Sequence, residues 1–492
     1  LSARRHVVPL PAGRRLDELF PQGRDNFDYR LARRGKALSW YGFFHAADRV
    51  LHAVQNIRLT PGRESAIKRC LEWVVAHQDA DGAWGGIQPP WIYSLMALRA
   101  EGYELTHPVM AAGLGALDEH WSYERGDSRL IQASESPVWD TALMCLAMLD
   151  CGLRIEDSSA MRRAVGWLLE QEVRTPGDWS VKTRGIEPGG WAFERANARY
   201  PDIDDTAVVL IVLARLRRQL NANHPVSIRL SEAIDRGTRW ILALQSSNGG
   251  WAAFDRDNDS EILAKIPFSD FGETIDPPSV DVTAHVLEAL GELGRRQSDP
   301  AVARGLAFLQ SEQERCGSWF GRWGVNHIYG TAAVLPALRA IGIDVRSAWI
   351  QRAAVWLRSC QNDDGGWGES CASYMDPAWI GRGVSTASQT GWALMALEAA
   401  GADDYRDAIA RGVAFLLESQ QDGSWHEPEY TGTGFPGYGV GARMELGDAE
   451  LPDLLQQGPE LQRAFMINYN LYRHYFPLMA LGRLSESNAA TA

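Results

Sequence analysis

The chain has 492 residues, with 49 Lys and Arg against 62 Asp and Glu, a formal net charge of −13. That length allows several domains with sizeable cores, and the charge argues against nucleic-acid binding. Hydrophobic residues make up 45% and charged residues 23%, which excludes general disorder, and no apolar run approaches the ~20 residues a spanning helix needs. The six cysteines show neither CxxC nor Cys/His metal spacing, so neither a zinc site nor a disulfide framework is expected, and a reducing compartment fits. The start at Leu1, with no Met and no signal-peptide pattern, reads as a piece of something longer.

In chain order, residues 1–37 come first, with nine Lys and Arg against four Asp and Glu. A helix predicted over 38–56 follows and carries Trp40, Phe43, Phe44, Ala47, Leu51 and Val54 at helical spacing. A basic stretch before an aromatic amphipathic helix is what docking on a membrane surface requires. The same pattern also fits a core helix behind a solvated linker.

From residue 73 onward one element occurs six times: an aromatic-aliphatic pair, then Gln, a polar stretch, Gly and Trp. It runs from Trp73-Val74 through Gln78 to Trp84, from Trp167-Leu168 through Gln171 to Trp179, and from Trp240-Ile241 through Gln245 to Trp251. It returns from Phe308-Leu309 through Gln313 to Trp319, from Trp356-Leu357 through Gln361 to Trp367, and from Phe415-Leu416 through Gln420 to Trp425. The final tryptophans are 95, 72, 68, 48 and 58 residues apart, each interval long enough for a helical hairpin and a loop.

Each copy reads as a helix with its aromatic-aliphatic pair buried, stopped by a left-handed glycine, with Trp packed on the next helix. The Gln is expected to satisfy bare amides at a neighbouring helix start. Between copies lie more uniformly apolar helices, Thr141–Leu149, Ala207–Leu216, Val282–Leu290 and Gln389–Ala399. Amphipathic outer helices alternating with apolar inner ones describe a closed double ring, so the fold class is all-α with α/α-barrel domains.

The segment Pro201-Asp202-Ile203-Asp204-Asp205-Thr206 puts three carboxyls into four positions before an apolar helix. Acids in a first turn often cap, but three so close cannot all ionise cheaply, and a retained carboxyl proton is a general acid. Asp281 and His285, four residues apart, share a helix face and can pair to tune such an acid.

With these residues the chain resembles the squalene-hopene cyclases, bacterial class II triterpene cyclases. The resemblance rests on the Asp-Ile-Asp-Asp-Thr-Ala segment, the repeats, and the stretches from Gly85 to Trp91, Ser136 to Asp140, Gly317 to Gly324 and Thr431 to Gly437. It covers nearly the whole chain and implies protonation and cyclisation of squalene to hopene or hopanol without metal or cofactor. Asp204 would be the proton donor, Asp202 and Asp205 its flanking acids, and Asp281 and His285 the supporting pair. Trp323 and Tyr329 would close the top of the cavity, with Tyr329 reloading the proton through water. Phe193, Phe254, Phe435, Phe465, Tyr469 and Tyr472 would line the path with π faces, because a carboxylate or hydroxyl would risk capturing a carbocation. Trp139 would shape the substrate, and Ile87, Gln88 and Pro89 would stand at the final deprotonation or hydration. Phe268 and Ser269 would belong to the channel, with Ser269 replacing a common Cys.

Two departures from the family pattern carry consequences: Phe254 stands where a Tyr is common, and a polar insertion over 438–464 reads as a surface excursion. The resemblance also implies a longer N-terminal stretch before Leu1. Residues 1–128 are therefore assigned to a second α/α barrel, incomplete at its N-terminal side and bearing the membrane-contact helix, and 129–492 to the catalytic barrel. Squalene, a membrane surface on the cytoplasmic face of the bacterial inner membrane, and a second copy in a homodimer are the implied partners. The competing readings are a sesterterpene or diterpene class II cyclase, a non-catalytic α/α scaffold, and a protein prenyltransferase subunit, whose zinc site the Cys spacing does not support.

Overall fold

The computed structural model describes residues 3–4, 6, 9, 11, 13, 16–27, 38–57, 61–194, 196, 200–221, 223–260, 275–374, 376–433 and 466–491. Phe268, Ser269, Phe435, Phe465 and the insertion 438–464 lie outside the described residues. The chain divides into two compact units, Leu1–Ser134 with Ser260–Thr274, and Glu135–Asp259 with Ile275–Ala492.

The first unit holds α1 (Trp40–Ile57), α2 (Arg63–Ala76), α3 (Gln88–Ala100) and α4 (Pro108–Ala116), followed by an antiparallel ribbon of β1 (Ser122–Arg125) and β2 (Ser128–Ile131). Its core gathers Trp84, Trp91, Leu98, Met110 and Trp121. Trp91 meets Trp121 edge to face at 4.9 Å. On α1, Trp40, Phe43, Val50, Leu51 and Val54 are exposed.

The second unit alternates inner and outer helices along the chain. The inner ones are α5 (Pro137–Asp150), α7 (Ile203–Gln219), α9 (Val280–Glu292), α11 (His327–Ala340), α13 (Ala387–Gly401) and α15 (Tyr472–Thr491). Between them stand α6 (Ser159–Glu170), α8 (Pro225–Ala243), α10 (Pro300–Ser311), α12 (Ala348–Ser359) and α14 (Arg406–Ser419). Each inner helix packs on the next, and α15 returns to α5, closing the ring; each outer helix lies against the inner helix before it. Burial follows the sequence pattern: α7 is buried almost throughout from Ile203 to Leu216, whereas α6 buries only Met161, Val165 and Leu168. The closure is clasped by Tyr475, whose hydroxyl donates to Asp140 at 3.0 Å.

The repeat is the joint between outer and inner layers. The indole N–H of Trp251 donates to the Ile241 carbonyl at 2.9 Å, and Trp319 and Trp367 repeat this on Leu309 and Leu357 at 2.7 and 2.8 Å. Their backbone N–H groups donate to Thr283, Thr331 and Thr390 on the inner helices. The Gln acts opposite to expectation, donating to carbonyls. Gln245 Nε2 reaches Gly249 O at 2.8 Å and Ala301 O, at the start of the next outer helix, at 2.9 Å. At Gly249, φ is +94° and an added Cβ would sit 2.5 Å from the Arg304 carbonyl oxygen, so conformation and close approach both require glycine.

The second copy ends elsewhere than Trp179. Trp191 donates its indole N–H to Leu168 O at 2.7 Å and its backbone N–H to Thr206, while the Trp179 indole N–H has no partner. The structural repeat is Gly189-Gly190-Trp191, and Gly189 abuts the Arg236 backbone as Gly249 abuts Arg304. An inserted stretch carrying Trp179 hides this at the level of sequence spacing.

Candidate active site

The short antiparallel pair β3 (Trp191–Ala192) and β4 (Pro201–Asp202) delivers the chain into α7. Asp202 caps that helix: one of its oxygens accepts the N–H of Asp204 at 2.6 Å and of Asp205 at 3.1 Å. Asp204, in the first turn, receives His285 Nδ1 on its Oδ1 at 2.6 Å. Asp205 is buried, and its Oδ1 has no hydrogen-bond partner.

Burial first, then the charge of Asp204, hold Asp202 well above the ordinary carboxyl range. Burial and the charges of Asp202 and Asp204 do the same to Asp205. For His285, burial works against the charged form, but the charge and hydrogen bond of Asp204 outweigh it and raise the imidazole from 6.5 to about 9. The result is a cationic donor locked on Asp204, beside two acids that resist ionisation.

Asp281 does not take the hydrogen bond of His285. Fully buried, it accepts Ser279 Oγ at 2.5 Å on one oxygen and the N–H groups of Arg322 and Trp323, at 3.0 and 2.7 Å, on the other. It thus fixes the loop that carries Trp323. Asp276, which sequence reading passed over, does the same for Phe254 by accepting the N–H groups of Phe254 and Asp255 at 2.7 and 2.8 Å. The two held rings meet edge to face at 6.3 Å.

Five of the six inner helices, all but α7, send a side chain from their N-terminal half into one aromatic circuit. His285 lies 6.2 Å from Tyr329, Tyr329 4.8 Å from Trp392, and Trp392 5.9 Å from Tyr472 between ring centroids. Trp139 donates to the Tyr472 hydroxyl at 3.1 Å and lies 6.1 Å from His285, completing the circuit. Tyr469 stacks on Tyr472 at 4.4 Å, and Phe476 packs edge to face on Tyr472 at 5.0 Å. Trp392 and Phe476 were missed in the sequence because helical spacing makes them look like ordinary core. Phe193 is half-buried against the ring's core. Ile87, Gln88 and Pro89 belong to the first unit, where they open α3, and Gln88 donates to Gln132 O at 2.6 Å. Among the described residues no group of three or more His, Cys, Asp or Glu is placed to hold a metal ion.

Residues 135–440 match the squalene-hopene cyclase C-terminal domain family, and residues 1–125 match the squalene-hopene cyclase N-terminal domain family. The chain is 45% identical over 489 residues to the squalene-hopene cyclase of Alicyclobacillus acidocaldarius, covering 99% of this chain and 71% of that protein. It is 39% identical over 477 residues to the squalene-hopene cyclase of Bradyrhizobium diazoefficiens, covering 96% of this chain and 67% of that protein. It is also 39% identical over 490 residues to a dammaradiene synthase of Dryopteris crassirhizoma, covering 95% of this chain and 66% of that protein.

Proposed function

Because the chain belongs to the squalene-hopene cyclase family, we propose that it is a class II terpene cyclase that protonates squalene at Asp204 and closes it to pentacyclic hopanoids. The observation that carries this reading is the 2.6 Å Asp204–His285 pair at one end of a closed ring of helices, among aromatic side chains. An alkene is a very weak base, so its proton donor needs a conjugate base stabilised at the moment of transfer. His285 supplies that stabilisation through its N–H on Oδ1, which leaves the other oxygen of Asp204 to deliver the proton.

Proton delivery forms one C–H bond and a tertiary cation, and successive double bonds then attack to close rings. The faces of Trp139, Phe254, Trp323, Tyr469 and Tyr472 stabilise the migrating charge without capturing it, at about 1–2 kcal/mol for each desolvated face. The last cation loses a proton or takes up water, and Tyr329 returns a proton to Asp204 through water. Incubation of the full-length protein with squalene, with identification of the hydrocarbon and alcohol products, tests this. A tetracyclic product, or turnover of shorter polyprenes only, would replace the hopanoid assignment. Phe193→Ala is expected to release partly cyclised products, because a cation left without a π face survives long enough to be intercepted; gas chromatography of the extract shows it.

The cyclase docks on the cytoplasmic face of the bacterial inner membrane, where an apolar substrate resides. What supports this is the exposed row Trp40, Phe43, Leu51 and Val54 on α1 behind the basic residues 1–37, while no described helix is long and apolar enough to cross a membrane. Replacing Trp40, Phe43 and Phe44 together by Ser is expected to move the protein off anionic liposomes in a sedimentation assay. Unchanged partition would place the anchor elsewhere.

A further inference from the structure

At the opposite end of the ring the C-terminal turns of the inner helices converge on a charged cavity of about 470 Å³. Converging helix C-termini concentrate partial negative charge, which arginines complement. Arg215 and Arg483 both bind Asp150, at 2.6 and 2.8 Å, and Glu288 lies between them, 3.8 Å from Arg215 and 3.9 Å from Arg483. Only 13% of the Arg483 side chain is exposed.

A second, narrow cavity of about 60 Å³ lies inside the ring, bounded by His285 and Tyr329 as well as by Glu288 and Arg483, with walls that include Leu146, Ile211 and Met395. The two cavities share Glu288, Pro336 and Arg483. The ion pairs therefore stand as a partition between a water-accessible mouth and the apolar space behind the Asp204–His285 pair. A buried ion cluster contributes little net stability compared with well-packed apolar residues, so its value here is sought in what it separates.

We propose that Asp150, Arg215, Glu288 and Arg483 form a water plug, and that Glu288 and Arg483 are positioning residues that determine product specificity by keeping solvent out of the space behind the acid. The proposal rests on the cyclase reading above. Without the plug, water enters, its oxygen bonds to a tertiary cation, and one proton leaves to solvent. The product is an incompletely cyclised alcohol carrying one solvent oxygen, with no oxidation or reduction involved.

The test uses the full-length protein with Arg483→Met and, separately, Glu288→Gln, turning over squalene in ¹⁸O-water. The share of ¹⁸O-bearing, partly cyclised alcohols is expected to rise about tenfold, a difference of one decade between competing rates. The paired variant Glu288→Leu/Arg483→Leu closes the same opening with apolar packing and is expected to return the share toward the wild-type value. Solvent exchange of the His285 ring proton, followed by NMR without substrate, is expected to quicken in Arg483→Met and to stay slow in the paired variant. Folded single variants with unchanged products and unchanged exchange overturn the plug. If the single variants unfold, the paired variant decides: wild-type exchange and products support the plug, and a folded paired variant with fast exchange and raised alcohol overturns it. A wild-type protein that cyclises no polyprene would sink the cyclase reading alone, because the exchange measurement judges the plug independently.

Discussion

Asp204→Asn is expected to abolish cyclisation, with loss of about 10⁴-fold, the upper range for removal of a general acid, while the circular dichroism spectrum stays close to wild type. The amide fills the same volume and can still accept the N–H of His285 at the place where Oδ1 now stands, so the inner helices keep their packing. What it lacks is a proton acidic enough for an alkene. Asp202→Asn should behave differently, because Asp202 works through its cap on the N–H groups of Asp204 and Asp205; an amide oxygen retains that cap, and turnover should fall without vanishing. Pentacycle formation by folded Asp204→Asn would move the acid to Asp205, the buried carboxyl with a free oxygen.

The second large effect is on the alkaline side. The raised imidazole of His285, about 9 against an ordinary 6.5, means that the native state holds this proton more tightly than the unfolded chain does. Its contribution, about 3 kcal/mol, is fully present below pH 6.5 and is lost as pH rises to about 9. The raised carboxyls Asp202, Asp205 and Asp281 act in the same direction, since each binds its proton more tightly when folded. The thermal midpoint should therefore decline between about pH 6.5 and pH 9, and kcat/KM should fall with a one-proton dependence above about pH 9, where the imidazole that supports Asp204 loses its proton. His285→Ala should lower the rate at neutral pH, with less loss than Asp204→Asn, and should erase that alkaline limb. An alkaline limb that persists in His285→Ala would assign it to another group.

The sequence by itself determined the layered all-α architecture and where its acidic residues crowd together. Apolar inner stretches, amphipathic outer ones and the six-fold Gln-to-Trp element are local patterns, written within a few helical turns, and local patterns survive without knowledge of the partner. The crowding of Asp202, Asp204 and Asp205 is likewise legible, since proximity along the chain guarantees proximity in space. Division of labour among those acids was decided only by the tertiary structure. His285 reaches Asp204 across 81 residues, Asp281 turns to backbone N–H groups more than 40 residues away, and Asp276 holds the loop of Phe254 from 22 residues on. The same holds for the Gly189-Gly190-Trp191 joint, displaced by an insertion that spacing cannot see, and for Trp392, whose indole belongs to the aromatic circuit rather than to anonymous core. A side chain's residue type limits the bonds it can make, but which neighbour takes the bond depends on which backbone the fold brings within about 3 Å, and that distance exists only once neighbouring inner helices have packed against one another.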